Sequence, residues 1–287
     1  MRGMKAGMNN LCVVLVAVRN SLNIGAVARA MSNFGALQLR VVNPYEKAWR
    51  EAKSAVGAAE LLAHADECAT VAQAVADCSL VVGTTAVGNR EVRQPLWSLP
   101  EAGPAIRKRL ETSNVALLFG SEKWGLSNES LSYCHRLLRI PTVAEHRSMN
   151  LGHAVAVCLY ELGRGKSATK AQAAKRKEEI AGERLEPGVT SRGSKAKANT
   201  EKTAKRKKRD GEPTLRVAAR MDTVERIGEA WLHALEKSGY VAPRGRATAE
   251  EKLRRMLRRF ALEEGDAEVF LGMVKKVLWK IEEKTPE

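Results

Sequence analysis

Aromatic residues make up only 5% of the 287-residue chain, and no apolar run approaches the roughly 20 residues that a membrane-spanning helix requires. That shortage excludes a helical membrane protein and leaves an α/β-type composition, with 44% hydrophobic residues. The five cysteines, Cys12, Cys68, Cys78, Cys134 and Cys158, contain no C-x-x-C pair. Neither a zinc site nor a disulfide framework is signalled, and they read as reduced core residues. His64, His135 and His153 lack metal-ligand spacing, so no metal is expected. No internal repeat is present. The apolar run "LCVVLVAV" at 11–18 follows only two basic residues and has no convincing cleavage site, which argues for a strand over a signal peptide and for a cytoplasmic protein.

What the chain has in excess is positive charge, +15 at pH 7 with a pI near 9.8. Such a balance points to a polyanion partner. The excess is local: residues 164–213 alone carry 16 Lys and Arg against 7 Asp and Glu. That stretch, which includes "KRKKR" at 205–209, is polar and without apolar anchors, so it reads as a basic flexible linker. Its "KAQAAKRKEE" could extend the preceding helix. The chain therefore divides into a domain at 1–163, the linker at 164–213 and a helical extension at 214–287.

Within 1–163, short apolar runs alternate with helical patterns. Strands are expected at 11–18, 37–42, 79–84, 115–120 and 135–140, and helices at 24–34, 57–64, 70–76, 104–111, 127–134 and 149–163. Alternation of this kind predicts a mainly parallel sheet covered on both faces, with ligands at the carboxyl ends of the strands. In the extension, "DTVE" at 222–225 and "TAEE" at 248–251 have the form of capping boxes. The helix after the second carries Leu253, Met256, Leu257 and Phe260 on one face, among Lys252, Arg254, Arg255, Arg258 and Arg259; a third helix is expected at 266–283. Three such helices make a small bundle, and the arginine cluster beside a basic linker reads as an RNA-binding surface.

Three strand-end segments are rich in glycine and small polar residues. In the first, "NIGAVAR" at 23–29, Asn23 is suited to cap a helix, and the stem of Arg29 would run over Gly25. A guanidinium near the positive end of its own helix is poorly placed unless an anion shares the space. Read alone, Arg29 is better explained as a solvated surface arginine. The second segment, "FGSEKWGLSNE" at 119–129, closes a strand with Gly120 and continues through Glu122; the third, "IPTVAEHRSMNLGHAVAV" at 140–157, ends a strand at Ile140 and opens the last helix with Ser148, Met149 and Asn150.

In order and spacing, these segments resemble the three motifs of the SPOUT superfamily of methyltransferases, in the branch similar to the tRNA and rRNA ribose 2′-O-methyltransferases. The resemblance covers residues 11–163. It implies an α/β fold, mainly parallel, with a C-terminal trefoil knot, S-adenosyl-L-methionine as cofactor, and a homodimer across which the active site is completed. The opening "RNSLNIGAVARAMSNFG", "LVVGTTA", "FGSEKWGLSNESLSYCH" and the tail "EKLRRMLRRF" further resemble bacterial enzymes that methylate the ribose of nucleotide 32 in the tRNA anticodon loop. Arg147 and Met149 stand where this branch often has Ser and Leu, and His153 replaces a less polar residue.

The resemblance places Arg29 near the reacting hydroxyl. Arginine is a poor base and a good anion holder, so Arg29 is expected to grip a substrate phosphate and stabilise the developing alkoxide. The proton acceptor stays open between a phosphate oxygen and a perturbed guanidine. Asn23, Ser148 and Asn150 are expected to orient the arginine and the ribose, and Glu122 either to orient Arg29 across the dimer or to cap the turn before the 127–134 helix. Cofactor contacts fall on Thr84, Thr85, Ala86, Gly120, Ile140, Ser148 and Met149, with glycine at 120 admitting close backbone approach. Trp124 either stacks on RNA or packs structurally. The competing readings are an rRNA 2′-O-methyltransferase of the same superfamily, more often built with an N-terminal RNA-binding domain, and a non-catalytic RNA-binding protein.

Overall fold

Six apolar residues in succession, Leu11–Val16, are all buried and form the central strand β1. The computed structural model describes residues 8–45, 49–86, 94–143, 145–164 and 218–283. The linker sequence at 165–213, with "KRKKR" and the possible helical extension, lies outside them. After β1 come β2 (Gln38–Val42), β3 (Asp66–Cys68), β4 (Cys78–Thr84), β5 (Leu96–Ser98), β6 (Asn114–Phe119) and β7 (Arg136–Arg139). They form one seven-stranded sheet in the order β3-β2-β1-β6-β4-β7-β5, and every pairing is parallel. Strands β3 and β5 escape sequence reading because each has only three residues and no apolar run.

Alternate residues of β1 serve opposite layers, as the pleat requires. Leu11, Val13 and Leu15 pack with Ile24, Val27 and Met31 of α1 (Ser21–Phe34), Ile106 of α4 (Leu99–Leu110), and Val155 and Leu159 of α6 (Leu151–Gly163). Cys12, Val14 and Val16 face the other layer with Val75 of α3 (Val71–Val75) and Leu131 of α5 (Asn128–Ser132). The remaining short helix, α2 (Ala59–Ala63), adds Leu61 and Leu62 to the first layer. Helix α4 begins five residues before the expected start because Ser98 and Glu101 form a capping box and Pro100 suits the first turn.

The C-terminal helices α7 (Met221–Lys237), α8 (Arg246–Phe260) and α9 (Glu264–Glu283) add Met221, Val224, Ile227, Leu253, Leu257 and Leu271 to the same hydrophobic cluster as Cys12, Val14 and Leu118. They and the sheet make one compact unit, so removing 214–287 would uncover part of the sheet's second layer. Both expected capping boxes are corrected. Asp222 lies inside α7, whose N-cap is Arg220, and Thr248 lies inside α8, whose N-cap is Gly245. The backbone N–H of Asp222 is spent on Ala76 O at 3.0 Å, and α8 starts two residues ahead of Thr248, at Arg246, which pairs with Glu236.

The arginine cluster is also divided. Arg254 and Arg258 are buried. Arg254 donates to Ser132 Oγ at 3.1 Å and to Glu250 at 2.6 Å, and its guanidinium lies 4.1 Å from the centre of the Tyr133 ring. Arg258 donates from Nε to Tyr133 O and pairs with Glu225. These two cations tie α8 to α5 and its C-cap, with Nη1 of Arg258 left without a partner among the described residues; Lys252 and Arg259 are exposed. Phe260, expected on the apolar face, is 49% exposed.

All five cysteines are buried and free, and burial pushes the Cys12 thiol up to about 12. Among the described residues no helix is long and apolar enough to cross a membrane, and no group of three or more His, Cys, Asp or Glu side chains could hold a metal ion.

Candidate active site

The three strand-end segments meet over the carboxyl ends of β4, β6 and β7 around a cavity of about 940 Å³. Thr84, Thr85 and Ala86 form one wall, Gly120 and Glu122 a second, and Ile140, Ser148, Met149 and Asn150 a third, with Asn23 at the edge. Every residue expected to hold cofactor therefore lines one space. Leu126, Leu131 and Leu138 supply buried apolar lining, while Ser148, Met149 and Asn150 are exposed. Lys123, Trp124, Thr142 and Arg147 line the cavity as well. Trp124 is 66% exposed, with the Lys123 ammonium 4.7 Å from its ring centre, so it is not a core residue.

A hydrogen-bond chain ties the segments together. Asn150 caps α6 by accepting from Gly152 N at 2.9 Å and His153 N at 3.4 Å, and its amide donates to Asn23 Oδ1 at 3.2 Å. Asn23 in turn donates to Glu122 Oε1 at 2.7 Å. Glu122 also accepts the backbone N–H groups of Arg19, at 3.0 Å, and Asn20, at 3.3 Å. Partial burial on its own would raise the Glu122 pKa, but the Asn23 amide and these N–H groups outweigh it and hold the carboxyl below its ordinary value.

This arrangement corrects the expected helix caps. The N-cap of α1 is Asn20, whose side chain accepts from Leu22 N at 2.8 Å. Asn23 sits in the first turn, which frees its side chain to orient Glu122. The anion at the positive end of α1 is the Glu122 carboxylate itself, a favourable place for it. Glu122 does not cap the helix that follows; Ser127 caps α5.

The glycines also act differently from expectation. A Cβ on Gly25 would collide with Ser54 and Ala55, so this glycine admits the 52–55 segment and does not clear room for an arginine stem. A Cβ on Gly120 would strike the backbone of Gly125 and Leu126, so its bareness serves a tight turn on the cavity wall, completed by Gly125 at φ +66°. Arg29 lies in the third turn of α1, exposed, off the cavity lining and without a hydrogen-bond or ion-pair partner among the described residues.

The SpoU rRNA Methylase family model matches residues 10–160, more than half of the chain. The chain belongs to this family. The matched region holds all seven strands and all three motifs. Among family relatives, the chain is similar to the tRNA (cytidine/uridine-2′-O-)-methyltransferase TrmJ of Sodalis glossinidius (strain morsitans), at 38% identity over 156 residues, 54% of this chain and 61% of that protein. The TrmJ of Pectobacterium atrosepticum is 37% identical over 54% of this chain and 64% of its own length. The match thus spans less than two thirds of these curated relatives. By structure, the chain is similar to TrmJ from Z. mobilis ZM4, with a TM-score of 0.70 and 25% identity over 93% of this chain and 98% of that one. That likeness extends past the family region into the C-terminal helices. A probable methyltransferase from Bordetella pertussis Tohama I matches 55% of this chain at a TM-score of 0.51 and 27% identity.

Proposed function

We propose that the protein transfers a methyl group from S-adenosyl-L-methionine to the ribose 2′-hydroxyl of a tRNA anticodon-loop nucleotide, at position 32. The observation that carries this reading is the single cavity built by three motif loops and locked by the Asn150–Asn23–Glu122 chain. Its volume, about 940 Å³, suits a nucleoside-sized ligand, and its lining combines apolar side chains with polar strand-end groups. When bound, S-adenosyl-L-methionine supplies a methyl group activated by its sulfonium.

The chain's own residues then have distinct tasks. Thr84–Ala86, Gly120, Ile140, Ser148 and Met149 would hold the nucleoside. Thr84 Oγ1 already donates to Leu118 O at 2.9 Å, which fixes this wall before anything binds. Asn150, Asn23 and Glu122 are positioning residues, because their polar atoms are engaged with one another and with backbone. Ser148 is available to orient the ribose. Arg29 grips a substrate phosphate and steadies the developing alkoxide. Since Arg29 does not line the cavity of its own chain, it serves the cavity of a second copy in a homodimer. The trefoil knot is part of the same proposal, as are the cytoplasmic setting and the division at 1–163, 164–213 and 214–287 with an RNA-binding tail.

Incubation with labelled S-adenosyl-L-methionine and total RNA, followed by mapping of 2′-O-methyl marks, tests the reading. A mark in the anticodon loop is expected. The family's description names rRNA, so a mark in rRNA would replace the tRNA reading, and tight RNA binding without transfer would remove the catalytic one.

A further inference from the structure

A second, smaller cavity of about 220 Å³ lies where α8 meets the segment entering β7, apart from the candidate active site. Its lining includes Lys252, Arg255, Arg258 and Arg259 from α8, with His135 and Gln94 opposite and no acidic side chain among the described residues. Lys252, Arg255 and Arg259 are spaced i, i+3, i+7, which brings them to one face.

The state of each group points to an anion. Arg258 is 4% exposed, and its Nη1 is a buried nitrogen with no hydrogen-bond partner among the described residues, although Nε and Nη2 are engaged by Tyr133 O and Glu225. An unpaired buried donor costs about 1–3 kcal/mol unless something meets it. Arg255 pairs with Glu251 at 2.7 Å, whereas Lys252 and Arg259 are exposed and have no ion pair among the described residues. His135 accepts the backbone N–H of Val81 at 3.0 Å on Nδ1, which leaves Nε2–H as a donor. Burial, then the nearby Arg258, holds that ring neutral, with its pKa lowered to about 3. The Gln94 amide is spent on Leu131 O at 2.7 Å. The walls therefore offer guanidinium, ammonium and ring N–H donors and few acceptors, the complement of a phosphate oxygen shell. The volume is below the range of about 300–1,000 Å³ typical of small-molecule sites, so a single phosphate group fits better than a nucleotide.

We propose that this pocket takes one backbone phosphate of the RNA substrate and thereby sets the register of the RNA on the protein. Phosphate contacts of this kind position an RNA without reading its sequence. The inference rests on the proposed tRNA substrate, and its test separates the two.

The test compares the full-length protein with the double variant Lys252→Ala/Arg259→Ala. Both side chains are exposed, so the fold is retained. Dissociation constants for an unmodified tRNA transcript are measured between about 50 and 200 mM salt. The expected result is affinity about tenfold weaker, with the log–log salt slope shallower by about 0.7–0.9. The melting temperature and S-adenosyl-L-methionine affinity should not change. A control, Lys275→Ala/Lys276→Ala, removes equal charge from α9 and should change tRNA affinity much less; an equal loss would overturn the pocket in favour of diffuse attraction. Unchanged tRNA affinity in the pocket variant would overturn it outright. If inorganic phosphate binds the wild type but not the variant while tRNA affinity stays put, the site belongs to a free anion and the RNA assignment falls. If the wild type methylates no RNA yet its tRNA affinity depends on Lys252 and Arg259, the pocket stands and the proposed activity fails.

Discussion

Two glutamates organise two different regions of this protein, and they do so with opposite partners. At the cavity rim, Glu122 is held by neutral donors, the Asn23 amide and the N–H groups of Arg19 and Asn20. At the seam between the helices and the sheet, Glu225 is held by charges, bridging the buried Arg254 and Arg258. Arg29 stands apart from this chain of bonds, exposed and without an ion-pair partner among the described residues. The seam spends its arginines on cohesion. Where a cation must meet a mobile anionic substrate, tying it to a carboxylate would compete with binding; where two layers must stay together, the competition is absent.

The seam should break hardest. Glu225→Ala leaves two buried guanidinium groups without their shared carboxylate, and an unpaired buried charge costs about 3–5 kcal/mol; urea unfolding should register a loss in that range. Arg29→Ala should then separate the regions most clearly. Methyl transfer should fall by about 10²-fold or more, as for a lost oxyanion-type contact, while urea stability stays within about 0.5 kcal/mol. Mixing that variant with an Asn150→Ala partner should restore part of the activity through hybrid dimers with one intact site, and no recovery in the mixture would remove the shared-site reading.

A smaller effect is expected from acid. Two hydrogen bonds from Arg40, at 2.5 and 2.9 Å, hold the Asp77 carboxyl at about 2, against an ordinary 3.8, with Asn114 adding a third. A depressed carboxyl stabilises the fold above its unfolded pKa, and that contribution disappears as pH falls from about 3.8 to about 2. Asp77→Asn should lower stability at pH 7 by about 2 kcal/mol and flatten the acid limb of the unfolding curve. The smallest effect belongs to Glu122→Gln. Its carboxyl is likewise depressed, so its contribution is present above pH 4.5 and lost as pH falls below it. Because the group is largely solvated, the loss at pH 7 should be about 1 kcal/mol or less, and wild type and variant should converge in acid. Equal stability at every pH would mean that the rim chain holds nothing together.

Much of this was legible in the chain. Continuous apolar runs such as 11–16 and 115–119 marked strands buried on both faces, and glycine-rich segments after them marked where a ligand could sit. The motifs carried the family. Less legible were β3 and β5, too short for a pattern, and the starts of α7 and α8, where a local capping signal lost to upstream contacts. Two asparagines three residues apart, Asn20 and Asn23, are equally good caps by composition; only the packing of Glu122 against the helix start decides between them.

The sequence by itself determined the class of fold, the family and the three segments that border the cavity, because periodicity and motif spacing act over a few residues. The tertiary structure alone decided what those residues do. Asn23 meets Glu122 across 99 positions and Arg254 meets Ser132 across 122, and no local rule says which of several asparagines, glutamates or arginines will be spent on such a bond and which will be left facing solvent.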